Sequence, residues 1–308
     1  MTPPDRGRDL CLAIDIGGTK IAVGIVDRLG EIVWADRGLT PTTRDADVVA
    51  GALGDLVARA GVAATGIGEL AACGVGCGGP MTFRGETVSP LNIPAWRSFP
   101  LRERLSASLA ESFGTTRVAI NIDNDAKALA LAEGWLGAAR GVSNYIAMVV
   151  STGVGAGIVL EGRLLKGASG NAGHIGHVIV EPGGRSCSCG ARGCLEAEAS
   201  GTAIAVATGD PAEMASAQVQ ERTGRLVGRA VGSVANLLDL RLAVVGGSVA
   251  LGYGARFFQS AQHETDAVAR LDFSRGCRVE PAGLGPDGPL VGAAALGWAA
   301  LDPGSSRP

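Results

Sequence analysis

The sequence predicts an α/β protein built from two related halves, and three observations predict it. Short apolar runs of strand character alternate with stretches whose apolar residues recur at helical spacing. The segment starting at Leu10 and the one starting at Asn144 echo one another. Each is an apolar strand, a small-residue turn with glycine and threonine, then a second apolar strand. Finally, 48 of the 308 residues are glycine, where average usage of about 7% gives roughly 22. The glycines follow no three-residue period and only 14 prolines accompany them, which excludes collagen-like and low-complexity chains. Two such halves imply a ligand held in a cleft between them.

The elements follow in order. Leu10–Ile14, Ile21–Val26 and Glu31–Ala35 read as three antiparallel strands with tight turns. Asp45–Ala60 has helical spacing, and Leu70–Val75 is a short buried strand running into a glycine-rich loop. Phe99–Phe113 reads as a helix, Val118–Ile122 as a strand, and Ala126–Leu136 as a helix stopped by Gly137. Asn144–Val150 and Ala156–Leu160 pair as strands, and Gly162–Cys194 is rich in loops. Ala197–Thr208 and Met214–Leu238 read as helices, Leu242–Val245 as a strand ending in Gly246-Gly247, and Pro289–Leu301 as a last helix. The tail 302–308 reads as loose.

Bulk properties exclude several classes. Hydrophobic residues make up 46% of the chain and charged ones 19%, enough core and too little charge for a disordered polyelectrolyte. A net charge of −3 speaks against nucleic acid or an anionic membrane as the main partner. No apolar run approaches the roughly 18 residues of a spanning helix, and no secretory signal is visible at Met1–Asp9. The expectation is a cytoplasmic protein. Seven cysteines in such a chain are poor material for a disulfide framework. Cys11, Cys73 and Cys77 lie in apolar runs and read as buried structural thiols.

Two turns carry phosphate-binding chemistry. Asp15-Ile16-Gly17-Gly18-Thr19-Lys20 sits between two strands, where glycines let backbone N–H groups face a phosphate and Thr19 adds a hydroxyl. Asp15 is placed to hold Mg²⁺ directly or through water. An ordinary hairpin turn is the plainer reading, but such turns rarely need an acid followed by Gly-Gly-Thr. Thr152 and Gly153, in Ser151–Gly157, repeat the pattern in the second half. No Walker A pattern occurs. Gly74, Gly76 and Gly79 match a dinucleotide fingerprint in spacing, yet Pro80–Gly85 follow where that fingerprint needs a helix. Asn124-Asp125 ends a strand at the mouth of a helix. There Asp125 serves either to accept a proton from an attacking hydroxyl or as the helix cap.

His177, Cys187, Cys189 and Cys194 offer one imidazole and three thiolates, a common structural zinc set. Gly183, Gly184, Gly190 and Gly193 let the short loop fold back on one ion. Four protein ligands leave no position for a reactive water, so the zinc would be structural. A reducible thiol cluster is the other reading. His263 reads as a solvated surface residue.

Together these elements resemble the ROK family (repressors, open reading frames, kinases), and most of all its zinc-containing, bacterial glucokinase-like branch. The matching pieces are Asp15–Lys20, Gly74–Pro80, Asn92-Ile93-Pro94-Ala95-Trp96, Asn124-Asp125, Thr152–Gly155, Gly173–Gly201, Val245–Gly247 and Gly292–Ala294. The resemblance implies an actin-like, hexokinase-type (RNase H-like) α/β fold with an inter-domain cleft. A smaller domain would comprise 1–123 plus 290–308, and a larger one, with the zinc loop, 124–289. It implies ATP-dependent transfer of a phosphoryl group to the 6-hydroxyl of a hexose, either glucose or an amino-glucose such as kanosamine. N-acetylmannosamine, fructose or allose are the alternative acceptors. Asp125 matches the family's catalytic base. Gly79, Asn92, Asn124, His174, His177 and Glu196 fall on sugar-contacting positions. Asp15, Gly17, Gly18, Thr19, Lys20, Thr152, Gly153, Gly246 and Gly247 fall on the positions that hold ATP and Mg²⁺. His177, Cys187, Cys189 and Cys194 match the zinc ligands. By family analogy the chain is expected to form a homodimer.

Two positions depart from the family pattern. Its glutamate–x–glycine–histidine signature is here His174-Ile175-Gly176-His177. An imidazole can donate and accept where a carboxylate only accepts, so the fitting sugar should change. Lys127 replaces a small or amide residue two places after Asp125. The family's repressors carry an N-terminal winged-helix domain, and the first strand near Leu10 leaves no room for one. A kinase is therefore expected over a regulator. A sugar-sensing protein without activity and a zinc hydrolase are the competing classes.

Overall fold

A computed structural model describes residues 8–301; the expected loose tail 302–308 lies outside the described residues. The chain divides into two compact units. In the first, strands β1 (Arg8–Ile16), β2 (Lys20–Asp27) and β3 (Ile32–Leu39) precede helix α1 (Ala46–Ala64) and strand β4 (Gly68–Cys77). Helix α2 (Leu101–Phe113), strand β5 (Ala119–Asp123) and helix α3 (Asp125–Trp135) follow. The second unit holds β6 (Tyr145–Val150), β7 (Val154–Leu160), β8 (Arg163–Leu164), α4 (Leu195–Ala199), α5 (Gly201–Thr208) and α6 (Ala217–Leu238). It continues with β9 (Leu242–Gly246), α7 (Ser248–Tyr253), α8 (Ala255–Val268) and β10 (Arg278–Pro281). Helix α9 (Gly288–Leu301) returns to the first unit.

The first sheet has the order β3-β2-β1-β4-β5 and the second β10-β9-β6-β7-β8. In each, the opening strand pairs antiparallel with the next and parallel with a later one. The two sheets thus share one strand plan, which accounts for the echo between the segments at Leu10 and Asn144. The parallel strand β9 is buried throughout, and its run Leu242–Gly246 is correspondingly apolar.

The first unit runs past the border expected at 123/124. Helix α3 belongs with it, because α3 packs against α9, where a β-carbon at Gly292 would approach the Ala128 carbonyl carbon to 2.7 Å. Residues 168–170 and 286–289 also belong to this unit. It is therefore not the smaller partner, and the two units are comparable in extent.

Local chemistry sets several helix bounds. The stretch read as one helix over Ala197–Thr208 is two, because Ser200 is extended (φ −71°, ψ 156°) and its hydroxyl accepts the Ala203 N–H at 3.1 Å. Helix α2 opens only after Pro100, and α6 only after Ser216. Strand β10 escaped the sequence reading, and of helix α8 only the polar, helix-like character around His263 was legible. α8 packs against α6. That packing needs glycine. β-Carbons at Gly224 and Gly228 would collide with the carbonyl oxygens of Phe257 and Ala261, and one at Gly232 would lie 2.7 Å from Val268 Cβ. Three glycines spaced by four residues thus let two helix backbones approach closely. No helix among the described residues is long and apolar enough to cross a membrane.

Gly228→Ala forces those backbones apart. The expected cost is about 2 kcal/mol, as for overpacking elsewhere, read as a lowered thermal unfolding midpoint. An unchanged midpoint contradicts this packing.

Candidate functional site

The expected site residues fall into one group in each unit. In the first unit, β1 ends at Asp15 and Ile16, and the turn Gly17–Thr19 leads into Lys20 at the start of β2. The Gly17 N–H donates to the Lys20 carbonyl at 3.0 Å and closes the turn. Thr40, at the end of β3, pins it from the side. The Thr40 N–H donates to the Thr19 carbonyl at 3.0 Å, and its hydroxyl donates to the Gly17 carbonyl at 2.7 Å. Thr40 carries no motif and was not picked out in the sequence.

Sheet register gathers the acids. Asp15 lies opposite Gly76 on β4, and Gly76 opposite Asp123 on β5. The space above Gly76 lies between Asp15 and Asp125. A β-carbon there would sit 3.8 Å from Asp15 Oδ1 and 3.6 Å from Asp125 Cα. Burial pushes the Asp15 carboxyl up to about 6, the charge of Asp125 adds to this, and Lys20 opposes it. Asn124 and Asp125 both serve the start of α3. Asn124 is the cap: its Oδ1 accepts the Ala126 N–H at 3.0 Å, and its carbonyl accepts the first helical N–H, from Ala128. Asp125 is the first helical residue and is exposed, with its Oδ1 also on the Ala126 N–H at 2.8 Å.

Asn92 folds over the glycine turns. A β-carbon at Gly18 would lie 2.7 Å from Asn92 Cβ, and one at Gly78 would lie 3.5 Å from Asn92 Oδ1. Gly79, which precedes a cis bond to Pro80, faces Asn124 Nδ2 at 4.0 Å from its β position. A 530 Å³ cavity lined by Gly18, Thr40–Arg44 and Asn92–Pro94 opens beside them. No helix begins at Gly74–Gly79; a short 3-10 turn at Phe83–Gly85 follows, so the dinucleotide spacing has no matching structure. Lys127 has a structural account. It is buried, pairs with Asp123 at 3.0 Å and donates to the Gly170 carbonyl.

In the second unit, Thr152 and Gly153 form the tight link between β6 and β7, closed by the Ser151 N–H on the Gly153 carbonyl at 2.9 Å. The start of α5 covers this link. The Gly201 N–H donates to the Ser151 carbonyl at 2.7 Å, and the Thr202 hydroxyl to that of Thr152 at 2.9 Å. Gly246 ends β9 beside Val149 of β6. Gly247 follows at φ 97°, where a β-carbon would collide with the Val150 carbonyl, so only glycine fits this turn.

His177, Cys187, Cys189 and Cys194 converge, with their ligand atoms all within 4.8 Å of one another. The Cys189 and Cys194 sulfurs are 3.7 Å apart, and Cys187 Sγ is 3.6 Å from His177 Nδ1. A tetrahedral zinc with bonds of about 2.3 Å to sulfur and 2.05 Å to nitrogen has edges of about 3.8 and 3.6 Å, so the set fits that ion. The Ala191 N–H lowers the pKa of the Cys189 thiol, which favours the thiolate form that binds metal. Nδ1 is thus the ring nitrogen of His177 that faces the cluster. His174 opens the short turn Ile175–His177 and is exposed, its ring 6.1 Å from that of His177. Glu196 lies in the first turn of α4, and its Oε2 accepts the Val154 N–H at 3.0 Å.

Glu198 was missed. Only 2% exposed, it accepts the Arg185 N–H at 2.6 Å and pairs with Arg222 of α6 at 2.7 Å. Burial alone would raise its pKa; these donors outweigh burial and hold it below the usual carboxylate range. One carboxylate thereby ties the loop before Cys187 to α4 and α6. No motif marks it, because Arg222 lies far along the chain.

Comparison with known proteins gives consistent likenesses. The sequence model of the ROK family matches residues 11–299. An N-acetylmannosamine kinase of Haemophilus influenzae is 37% identical over 92% of this chain and 94% of its own length. The solved ROK hexokinase from Thermus thermophilus superposes with a TM-score of 0.78 at 32% identity, over 96% of this chain and 100% of that one. A ROK family glucokinase from Streptomyces griseus, solved with glucose and AMPPNP, gives a TM-score of 0.76 at 29% identity, over 94% and 99%. The actin-like, hexokinase-type α/β fold expected from the motifs is thereby shown.

Glu198→Gln weakens the clamp on the metal-binding loop. With zinc-loaded protein and a chromogenic chelator, the expected result is zinc release faster by about tenfold, the usual scale for groups that orient ligands. Release at the wild-type rate contradicts this role.

Proposed function

This chain belongs to the ROK family, and from that premise we propose that it is an ATP-dependent kinase acting on the 6-hydroxyl of a hexose. The observation that carries the proposal is the arrangement around Gly76. Asp125 is exposed at the start of α3, and it stands beside the half-buried Asp15. In this reading Asp125 accepts the proton of the sugar hydroxyl as that oxygen attacks the terminal phosphorus of ATP. Gly17, Gly18, Thr19, Lys20, Thr152 and Gly153 hold the phosphates, with Gly246 and Gly247 beside the nucleoside. Asp15 holds Mg²⁺ directly or through water, and Mg²⁺ supplies charge neutralisation at the phosphate oxygens. Gly79, Asn92, Asn124, His174, His177 and Glu196 hold the sugar.

Zinc, held by His177, Cys187, Cys189 and Cys194, supplies stability to the loop and fixes the ring of His177. With four protein ligands the tetrahedron is closed, which argues against a metal hydrolase.

The acceptor favoured here is N-acetylmannosamine. The relatives bearing that activity in their names align over more than nine-tenths of this chain. His174 also supports an acylated amino sugar, since an imidazole can meet an amide's donor and acceptor where a carboxylate only accepts. Glucose is the second reading, supported by the glucokinase likeness.

Two measurements test this. ADP release is followed with N-acetylmannosamine, glucose, kanosamine, fructose and allose. The highest kcat/KM is expected for N-acetylmannosamine, and a higher value for glucose overturns the acceptor assignment. Sugar-dependent thermal stabilisation with no ADP release from any acceptor replaces the kinase by a sugar sensor. Asp125→Asn is expected to keep sugar affinity while losing turnover by about 10²–10⁴-fold, the range of general-base catalysis. Unchanged turnover removes Asp125 from the role of base.

A further inference from the structure

Within the second unit, the metal-binding lobe and the Ser151–Gly153 link meet at Glu196. Its Oε2 accepts the Val154 N–H at 3.0 Å, the first amide of β7 after that link. A β-carbon at Gly153 would lie 2.9 Å from the same oxygen. Gly176, next to His177, packs into the same corner. A β-carbon there would collide with the Val154 carbonyl oxygen and lie 3.3 Å from Glu196 Cβ. One carboxylate oxygen of Glu196 is therefore held by the link.

We propose that Glu196 couples the two substrates. Its Oε2 reads the position of the link that takes the nucleotide phosphates, and its Oε1 presents the resulting orientation to the sugar. A charge-assisted hydrogen bond fixes a carboxylate's direction, so a link drawn onto phosphates re-aims the group that meets the sugar. Coupling of this kind is reciprocal: the factor by which nucleotide changes sugar affinity equals the factor by which sugar changes nucleotide affinity. This inference rests on the assignment of Glu196 to the sugar and of Thr152 and Gly153 to the phosphates.

Gly153→Ala is the discriminating variant, because the new β-carbon meets only the end of the Glu196 side chain. Affinity for N-acetylmannosamine and for glucose is measured by calorimetry on zinc-loaded protein with no nucleotide present. Gly153→Ala is expected to weaken sugar binding by about fivefold or more, the lower end of typical coupling. In a Glu196→Gln background the same change is expected to cost less than about twofold, since interacting sites are not additive. Thr152→Val, which keeps the Glu196 contact, is expected to leave nucleotide-free sugar affinity as in wild type. Sugar affinity unchanged by Gly153→Ala, together with a raised KM for ATP, overturns the proposal.

Zinc content and far-UV circular dichroism check that Gly153→Ala has folded. If it has not, the unmodified protein decides. A non-hydrolysable ATP analogue must shift sugar affinity, and Glu196→Gln must bring that factor towards one; a factor unaffected by Glu196→Gln overturns the coupling. Wild-type protein that binds neither sugar defeats the functional reading itself. The contact at Glu196 is then judged by amide exchange at Val154, which must quicken in Glu196→Gln.

Discussion

A β-carbon at Gly176 would collide with the carbonyl oxygen of Val154. That close approach seats the Ile175–His177 turn on the strand leaving the Ser151–Gly153 link, and the rest of the second unit's candidate site follows from it. It sets His177 Nδ1 toward Cys187 and brings Glu196 within reach of the Val154 N–H. The first unit uses the same device at Gly18, where only a missing side chain admits Asn92. Part of the glycine excess is thus a matter of backbones brought together.

Much of this was legible in the sequence, for physical reasons. Asp15–Lys20 and Ser151–Gly153 announce themselves because a strand, a small-residue turn and a second strand are local features. His177, Cys187, Cys189 and Cys194 are legible because metal ligands must be of a few residue types. The choice between cap and catalytic acid at Asn124-Asp125 was not legible. Both side chains suit a cap, and in the structure both accept the Ala126 N–H, Asn124 Oδ1 at 3.0 Å and Asp125 Oδ1 at 2.8 Å.

What stayed hidden depends on partners distant in sequence. Glu198 meets Arg222 of α6, Lys127 meets the Gly170 carbonyl, and α8 packs on the glycine face of α6. The break at Ser200 is of the same kind. The chain there turns so that the Gly201 N–H can reach the Ser151 carbonyl, against the helical spacing on either side. Lys127, a departure from the family pattern, is resolved by burial with Asp123. His174, the other departure, is exposed at the start of the Ile175–His177 turn.

The central claim is that one carboxylate, Asp125, directs phosphate to the primary hydroxyl of an amino-hexose. The most direct measurement is the position of the new ester. Product made from N-acetylmannosamine, ATP and Mg²⁺ is examined by phosphorus–proton correlation NMR. The account predicts phosphorus coupled to the C6 protons alone. Phosphorus coupled to the anomeric proton, or inorganic phosphate as the sole product, contradicts it.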